Sequence, residues 1–562
     1  MKKSVISAWA VLLALTFQSC ELEPEVYSEI RPENFFENED QIIAFTSSGY
    51  SSLSGYFGQF VQEQGVMTDE LANPLRSNDG WGANMDIMSH NFQPNDGWVP
   101  GIWNLAFGGV GTCNRLIEFL QGLDSDQTTA IAELRALRAF YLWAALDTYG
   151  NIPVELRFAE ANPAPSQSTP AEAYEVIERE LLESIPDLSP NKDQTTYAKM
   201  NKDAANMVLA TLYINAERYG VSPKWEEAAA AANEVVESGN YSLASGYFSN
   251  FFIRNESSPE NIWVVPYERN QIDNPIAHAT LHQSSTPTFG LSAQPWGGYS
   301  VQGDFYNSFD EDDNRRGMFI AGQQYSKDAG PIWDATLGFL YTNPKEEYEI
   351  IDCGEDYNVL TNVEREHWGF PVLAAGQTAA DLTPEQRELA CGIYIEANPD
   401  PILREESGRS EDMILYREGA RMAKFEYEVG TGLPTGSNND VPIFRYAETL
   451  LIRAEALWRM DNGSAEALSL VNQIRERAGL GAVPALTEDI LYEEFRKEMA
   501  LEGHARQIMI RFGHWEDEWN WKSTDDNAPG DTYTPAQYKR WYPIPFDELN
   551  ANPNLVQNEG YN

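Results

Sequence analysis

Apolar residues recur at intervals of three and four between about Glu118 and Leu243. The clearest stretch reads "AELRALRAFYLWAALDTYG", and Gly150 and Pro153 lie at its end. This spacing puts apolar side chains on one face of an α-helix, and glycine and proline commonly terminate helices. The pattern therefore predicts a long helix that ends at Gly150.

Further helices come in pairs. The stretch "TPAEAYEVIERELLESIPDL" begins with Thr169 as a cap and Pro170 at the first helical position, and "NKDAANMVLATLYINAERYG" is followed by "PKWEEAAAAANEVVESGNYSL". A later pair reads "VPIFRYAETLLIRAEALWRM" and "SAEALSLVNQIRERAGL". Small residues at the crossings, with aromatic residues one turn away, are typical of tetratricopeptide-like repeats. We predict a mostly α protein with a tetratricopeptide-like helical-repeat scaffold over about 30–245 and 440–562.

The helical period is absent from about 246–439. Short apolar pieces separated by Gly, Pro, Asn and Asp replace it, and a block at 67–104 has the same character. A long irregular region in a folded protein is usually functional or disordered, and the high aromatic content argues against disorder. We therefore predict that these two regions form a large, loop-rich ligand-binding region on the helical scaffold.

The amino terminus has the order of an export signal. Lys2 and Lys3 precede the apolar stretch "VISAWAVLLALTF", which is too short to span a membrane, and the small residue Ser19 stands just before Cys20. This order predicts a lipoprotein signal peptide over 1–19 and lipid attachment at Cys20, which leaves 20–562 as the mature chain. The alternative is an ordinary cleaved signal in which Cys20 plays no part.

The chain is strongly acidic, with 39 Lys and Arg against 86 Asp and Glu and a net charge of −47. The acidic residues are spread along the chain, so the surface repels polyanions. The charge argues against nucleic acid as a partner and disfavours sulfated or uronate-rich polymers. A neutral glycan is the ligand that this charge favours; the alternative is a cleft in which a few Arg residues, such as Arg417 or Arg421, reverse the local potential.

Tryptophan residues fall into two groups. One group lies in amphipathic helices, where core packing is expected: Trp143, Trp225 and Trp458. The other lies beside Gly, Asn or Pro in loop-like sequence: Trp81, Trp98, Trp296 and Trp333. Loop residues of this kind can present a flat indole face to a sugar ring, or they can pin the loops to the helices. As a set, they favour a carbohydrate-binding surface.

Catalytic and metal motifs are absent from the sequence. The pair His278 and His282 in "HATLH" lacks the Glu of the zinc-protease motif. The acidic run "DEDDNRRG" has Arg315 where a calcium loop needs Gly, and Ala321 where it needs Glu. We therefore predict no catalytic residue, metal or cofactor. A glycoside hydrolase remains an alternative, because no Asp/Glu pair can be singled out by spacing in so acidic a chain.

The cysteines beyond Cys20 are three. Cys113 in "GTCNRLIEFL" is predicted to lie on a packed helix face. Cys353 and Cys391 lie in one irregular region, where they can form a disulfide or remain reduced, and the sequence leaves both options open.

The carboxyl end carries two blocks that resemble a known family. The stretch "FRKEMALEGHARQIMIRFG" resembles the "RR.EFAFEGHRWFDLIRWG" signature of the SusD/RagB family, and "WYPIPFDELNANPNLVQNEGY" resembles its "YPIPQSEIDANPNLTQNPGY" ending. Two earlier stretches, "ELRALRAFYLWAALDTYGNIPV" and "VPIFRYAETLLIRAEA", are similar to further family blocks in the same order. The chain departs from the pattern at Ala505, Gln507 and Ile508, in a stretch that we interpret as scaffold.

The resemblance implies a non-catalytic lipoprotein on the outside of the cell outer membrane. Such a protein binds glycans and delivers them to a SusC-like TonB-dependent transporter; the RagB branch makes peptides the alternative ligand. The acidic stretch "CELEPE" after Cys20 resembles a surface-export signal of lipoproteins in the Bacteroidetes. The block "TDELANPLRSNDGWGANMDIMSHNFQ" resembles a subgroup in which an acid and a tryptophan line the glycan cleft, which points to Asp69 and Trp81.

We place the centre of the glycan site at Trp296, with Tyr299 beside it in "QPWGGYS". Pro295 restricts the backbone before the indole, and the two glycines after it carry no side chain that could cover the ring. Asp69 and Trp81 are expected to contribute from the early block. Trp98 and Trp333 are further candidates.

Overall fold

A computed structural model describes residues 39–72, 85–88, 90–272, 275–281, 285–297, 299–320, 322–323, 372–378, 381–383, 394–395, 420–432, 436–519 and 534–561. The chain divides into two compact units, Met1–Ser47 and Ser48–Asn562. The described part of the first unit is helix α1 (Glu39–Ser47). All other elements belong to the second unit.

The amino-terminal helices of the second unit include the longest of the described chain. They are α2 (Gln62–Val66), α3 (Met85–Met88), α4 (Pro100–Gln121), α5 (Thr128–Tyr149), α6 (Pro170–Ser184), α7 (Lys202–Ile214) and α8 (Trp225–Ser238). Short 3₁₀ and π turns over Ser48–Gly55 and Phe57–Val61 precede α2. Helix α5 ends at Gly150, as the sequence predicts. Helix α4 begins at Pro100, inside the block that the sequence predicts to be irregular.

The remaining helices are short in the middle of the chain and long again near its end. They are α9 (Ile276–Thr280), α10 (Thr286–Phe289), α11 (Gly303–Asn307), α12 (Tyr446–Met460), α13 (Ala465–Arg477), α14 (Glu488–Glu498), α15 (Ala505–Phe512) and α16 (Phe546–Ala551). In the described chain no helix is both long and apolar enough to cross a lipid bilayer.

Helix α6 shows how local sequence sets a boundary. The Thr169 hydroxyl accepts a hydrogen bond from the Glu172 N–H at 3.3 Å, and the Glu172 carboxylate accepts one from the Thr169 N–H at 2.8 Å. This reciprocal capping box satisfies two amides that the helix cannot pair internally. Pro170 occupies the first turn, where its missing N–H costs nothing. The predicted start of this helix is confirmed.

The long helices pack mainly against their neighbours in the chain, and α12 also packs against the distant α8. Helix α4 packs on α5, α5 on α6, α7 on α8, and α12 on both α8 and α13. Helices α4 and α5 approach closely at Gly109, because this residue has no side chain. A Cβ there would lie 2.4 Å from the ring of Tyr141. Trp143 is buried, as expected, while Trp225 and Trp458 are half-buried in their helices. The predicted tetratricopeptide-like helical scaffold is confirmed.

The described strands form five antiparallel pairs. They are β1 (Leu71–Ala72) with β5 (Ser300–Val301), β2 (Ile152–Pro153) with β3 (Gln167–Ser168), β4 (Asn261–Val265) with β10 (Val441–Arg445), β6 (Phe319–Ile320) with β9 (Arg421–Met422), and β7 (Gly322–Gln323) with β8 (Tyr394–Ile395). Strand β10 leads directly into helix α12. The β4–β10 pair therefore joins the loop-rich region to the scaffold.

A buried charged cluster reinforces this junction. Arg445, at the end of β10, pairs with Glu498 at 3.0 Å and with Glu502 at 2.6 Å, and Lys424 pairs with Glu502 at 2.6 Å. Although burial raises the pKa of Glu502, the charges of Arg445 and Lys424 bring it below its usual range. Burial also lowers the pKa of Lys424 to about 8. Charges removed from water are tolerated only when they are paired in this way.

Arg315 lies in the acidic run that superficially matches a calcium loop. Its buried guanidinium bonds Asp313 at 2.8 Å and Glu494 at 2.6 Å, so a protein cation occupies the centre of these carboxylates. Among the described residues no cluster of three or more His, Cys, Asp or Glu side chains is suited to hold a metal ion.

Residues near the carboxyl end of the described chain are bonded to the end of helix α5. The Asn558 side-chain amide donates to the carbonyls of Tyr149 and Tyr542, both at 2.7 Å, and its oxygen accepts from Asn151 at 2.8 Å. The last residues are therefore an integral part of the scaffold.

Candidate functional site

Two segments of the predicted binding region meet at the β1–β5 pair. Leu71 lies opposite Val301 and Ala72 opposite Ser300, so the segment after Asp69 runs beside the segment after Trp296. The side-chain amide of Gln302 reinforces this pairing by donating to the Thr68 carbonyl at 3.1 Å and the Leu71 carbonyl at 3.3 Å. The fold thus brings together two stretches that are more than two hundred residues apart in the chain.

Trp296 lies at the protein surface and rests on a histidine. Its side chain is 37% exposed, whereas His278 on α9 is 2% exposed. The two rings stack with centroids 5.9 Å apart and planes inclined by 30°. The Trp296 N–H also donates to the His278 carbonyl at 2.9 Å. Burial lowers the pKa of His278, which favours the neutral imidazole at pH 7.

Tyr299 occupies a different environment from Trp296. It is 4% exposed, and its N–H donates to the Ala279 carbonyl at 3.3 Å. Burial raises the pKa of its phenol well above the usual range. Tyr299 is therefore buried and bonded to the α9 segment, whereas Trp296 is partly exposed.

Asp69 lies just before strand β1. Its side chain is 30% exposed, and its carboxylate accepts a hydrogen bond from the guanidinium of Arg496 on α14. The neighbouring Glu70 is buried, accepts the Leu501 N–H at 3.1 Å, and has its pKa raised to about 7 by burial. Arg496 therefore anchors the acidic pair Asp69 and Glu70 to the scaffold.

Asp69 lines a cavity of about 210 Å³. Its other acidic residues are Asp304, Asp517 and Glu518; the remaining lining side chains are Gln302, Tyr492, Met509, His514 and Trp519. The rings of Tyr492 and His514 stack with centroids 4.0 Å apart. A cavity that combines aromatic faces with hydrogen-bonding groups can hold a small polar ligand.

Sequence reasoning missed most of this cavity. Tyr492 lies on α14, and His514 and Trp519 follow α15, in a part of the chain interpreted as scaffold. The only local signal was the aromatic and acidic stretch "HWEDEW" just after the helix. Its significance depends on Asp69 and Asp304, which reach the same cavity from distant parts of the chain.

The other candidate residues are less informative. Trp98 is half-buried in the turn before α4, and its carbonyl accepts the Gly101 N–H at 2.9 Å. Trp81, Trp333, Cys20 and the pair Cys353 and Cys391 lie outside the described residues. Cys113 is buried on α4, as predicted, and burial raises its thiol pKa to about 12.

Comparison with known proteins identifies relatives along nearly the whole chain. Residues 259–561 match the model of the SusD family. The starch-binding protein SusD of Bacteroides thetaiotaomicron is 26% identical over 498 residues, which cover 86% of this chain and 82% of the relative. The SusD-like protein P2 of Formosa agariphila is 24% identical over the full length of both chains.

The fold is also shared with solved structures. Surface glycan-binding protein A from Bacteroides thetaiotaomicron, in complex with laminarihexaose, aligns with a TM-score of 0.66 and 20% identity over 92% of this chain and 99% of that chain. The family model covers more than half of the present sequence, and it includes the β4–β10 junction, the charged cluster and the cavity residues of α14 and 514–519. This chain belongs to the SusD family.

Proposed function

We propose that the protein is a non-catalytic, glycan-binding lipoprotein of the outer-membrane surface. It captures an oligosaccharide or polysaccharide and delivers it to a SusC-like TonB-dependent transporter. The observation that carries the proposal is the surface indole of Trp296, which rests on the buried ring of His278. Family membership and the starch and laminarihexaose ligands in the names of relatives support the same function.

The geometry suits recognition of a sugar ring. A partly exposed indole can stack on the C–H face of a sugar. Asp69, whose segment pairs with the segment after Trp296, can accept hydrogen bonds from the sugar hydroxyls. Stacking on one aromatic ring contributes about 1 kcal/mol beyond the buried area. Because Tyr299 is buried and Trp296 is partly exposed, Trp296 is the aromatic contact that we assign to the ligand. Asp69 is assigned to hydroxyl recognition.

A neutral glycan such as a β-glucan is the ligand class that we favour. The net charge of −47 repels sulfated and uronate polymers at long range. The laminarihexaose complex of a structural relative supports this choice, since laminarihexaose is a neutral β-glucan oligomer. Binding of peptides but of no glycan would favour the RagB-like alternative. Release of new reducing ends from a bound polysaccharide would favour a glycoside hydrolase.

Calorimetry on the mature chain, residues 20–562, tests the proposal. We expect binding to a neutral β-glucan oligosaccharide, and Trp296→Ala should weaken it by about tenfold while the melting temperature stays nearly constant. Phe158→Ala is the matched control, because Phe158 is an exposed aromatic residue in the loop between β2 and β3. Unchanged affinity together with a lowered melting temperature would show that Trp296 only pins its loop.

A further inference from the structure

We infer that the scaffold binds one internal water molecule in a cavity lined by α7, α12, α14 and α15. The water bridges the hydroxyl of Thr211 on α7 and the carboxyl of Glu448 on α12, and so completes the hydrogen bonding where these helices meet. This water site belongs to the scaffold, so it is independent of the proposed glycan binding.

The cavity is small and lies in the protein interior. The space open to the centre of a water molecule is about 10 Å³. About 10–15 Å³ of such space is enough for one water molecule. Among the lining side chains, Thr211, Glu448 and His504 are 2%, 4% and 2% exposed. This size admits a single water and excludes a sugar ring or a hydrated ion.

Two side-chain oxygens of the lining have no hydrogen-bond partner within the described chain. They are Oγ1 of Thr211 and Oε2 of Glu448, and both are sealed from bulk solvent. Buried polar atoms in folded proteins are almost always bonded to protein groups or to ordered water. Leaving two such atoms unpaired costs more than the entropy lost when one water is held in place. One bridging water therefore stabilises this part of the scaffold.

The neighbouring polar side chains are already bonded to one another. The Asn215 amide donates to the Thr211 carbonyl and to Gln507 Oε1, both at 2.9 Å. Arg511 donates to Asn215 Oδ1 at 2.8 Å and, through its Nε, to Glu455 at 3.0 Å. These bonds fix the wall of the cavity, so the water enters a preformed site.

The charge state of the lining favours water over a cation. Burial raises the pKa of Glu448 well above its usual range and lowers the pKa of His504 to about 4, so both groups are neutral at pH 7. Glu448 Oε1 lies 3.2 Å from His504 Nδ1, so the O–H of the acid can donate to the ring from this oxygen. Oε2 then remains an acceptor, which a water O–H satisfies.

Crystallography of the mature chain, residues 20–562, at a resolution that shows ordered waters tests the inference. We expect one water within about 2.5–3.0 Å of both Thr211 Oγ1 and Glu448 Oε2. Thr211→Val removes the hydroxyl but keeps the side-chain shape, and it should remove the water. Thr211→Ser keeps the hydroxyl and should keep the water. Glu448→Gln should also keep it, because the amide can donate to His504 and still accept from the water.

Each outcome decides for or against the water site. A dry cavity in the parent protein would overturn the inference, and so would an ion with ligand distances of about 2.4 Å. A water that stays at the same position in Thr211→Val would show that it does not depend on the hydroxyl, which overturns the bridge. If Thr211→Val fails to fold, the parent and Glu448→Gln structures still decide, since both must contain the water.

Discussion

The helical scaffold and the loop-rich region obtain their structure in different ways. Scaffold helices such as α5 and α6 follow local apolar spacing and caps, and they pack on partners close in the chain. The loop-rich region is positioned by contacts between distant segments, of which the β1–β5 and β4–β10 pairs and the Arg445 cluster are the clearest. The difference shows that the scaffold helices themselves follow local signals, whereas the position of the loop-rich region depends on contacts between distant segments.

The prediction with the largest expected effect removes the positive charge of Arg445 at the junction between the scaffold and the loop-rich region. Arg445→Met would remove one cationic partner from each of the buried carboxylates of Glu260, Glu498 and Glu502. Breaking a buried charge cluster from one side costs about 3–5 kcal/mol, so we expect urea denaturation to show a loss of this size. Arg254→Met, at an exposed ion pair, should cost less than about 1 kcal/mol. Equal losses in the two variants would contradict the anchoring role of Arg445.

A second test uses the pH dependence of an acid in the binding region. Burial raises the pKa of Glu70 to about 7, so the folded state favours its protonated form. Its contribution to stability is full below the ordinary Glu pKa of about 4.3 and is lost as pH rises through about 7, a change of up to about 3 kcal/mol. Glu70→Gln should flatten the melting temperature over this window, while Glu226→Gln, at an exposed acid on α8, should not. An identical pH profile in the parent and Glu70→Gln would contradict the raised pKa.

A third test concerns packing within the scaffold. Gly109→Ala would put a Cβ 2.4 Å from the Tyr141 ring, and overpacking of this kind costs about 1–3 kcal/mol. Gly111→Ala in the same helix meets nothing within 4 Å and should stabilise the protein by up to about 1 kcal/mol. Thermal melting of both variants measures the difference. A stabilising Gly109→Ala would show that the crossing of α4 and α5 is looser than described.

The smallest expected effect concerns the support of Trp296. His278→Ala removes the ring under the indole and should weaken glycan binding by about fivefold, whereas His278→Phe restores a flat support and most of the affinity. Calorimetry measures both, with melting temperatures as the check on folding. Weak binding in both variants at unchanged stability would indicate that the imidazole matters for a reason other than stacking.

Sequence reasoning was most successful where short-range signals decide the structure. The end of α5 at Gly150, the cap at Thr169 and the buried Trp143 all follow from neighbouring residues. It failed at Pro100, where α4 begins inside a block rich in loop residues, because burial of one face outweighs weak helix propensity. The rest of the fold was predicted from the sequence blocks that resemble those of the SusD/RagB family, because local patterns did not decide it.

The candidate site was only partly predictable for a related reason. Asp69 and Trp296 could be named from local context, and the fold brings their segments together. The burial of Tyr299 and the cavity formed with Tyr492 could not be read from the sequence, because both depend on which distant segments meet. Residues on a scaffold helix carry no local mark of lining a cavity.

The contact of Asn558 with the end of α5 shows that completion of the scaffold is a long-range folding step. This side chain satisfies the Tyr149 carbonyl across 409 positions of the chain, so the end of α5 gains this hydrogen-bond partner only when the segment around Asn558 has docked. A contact of such high sequence separation forms late, because the entropy of closing a long loop must be offset before the contact contributes to stability. The helices of the scaffold can therefore form early, while their final assembly waits for a distant segment.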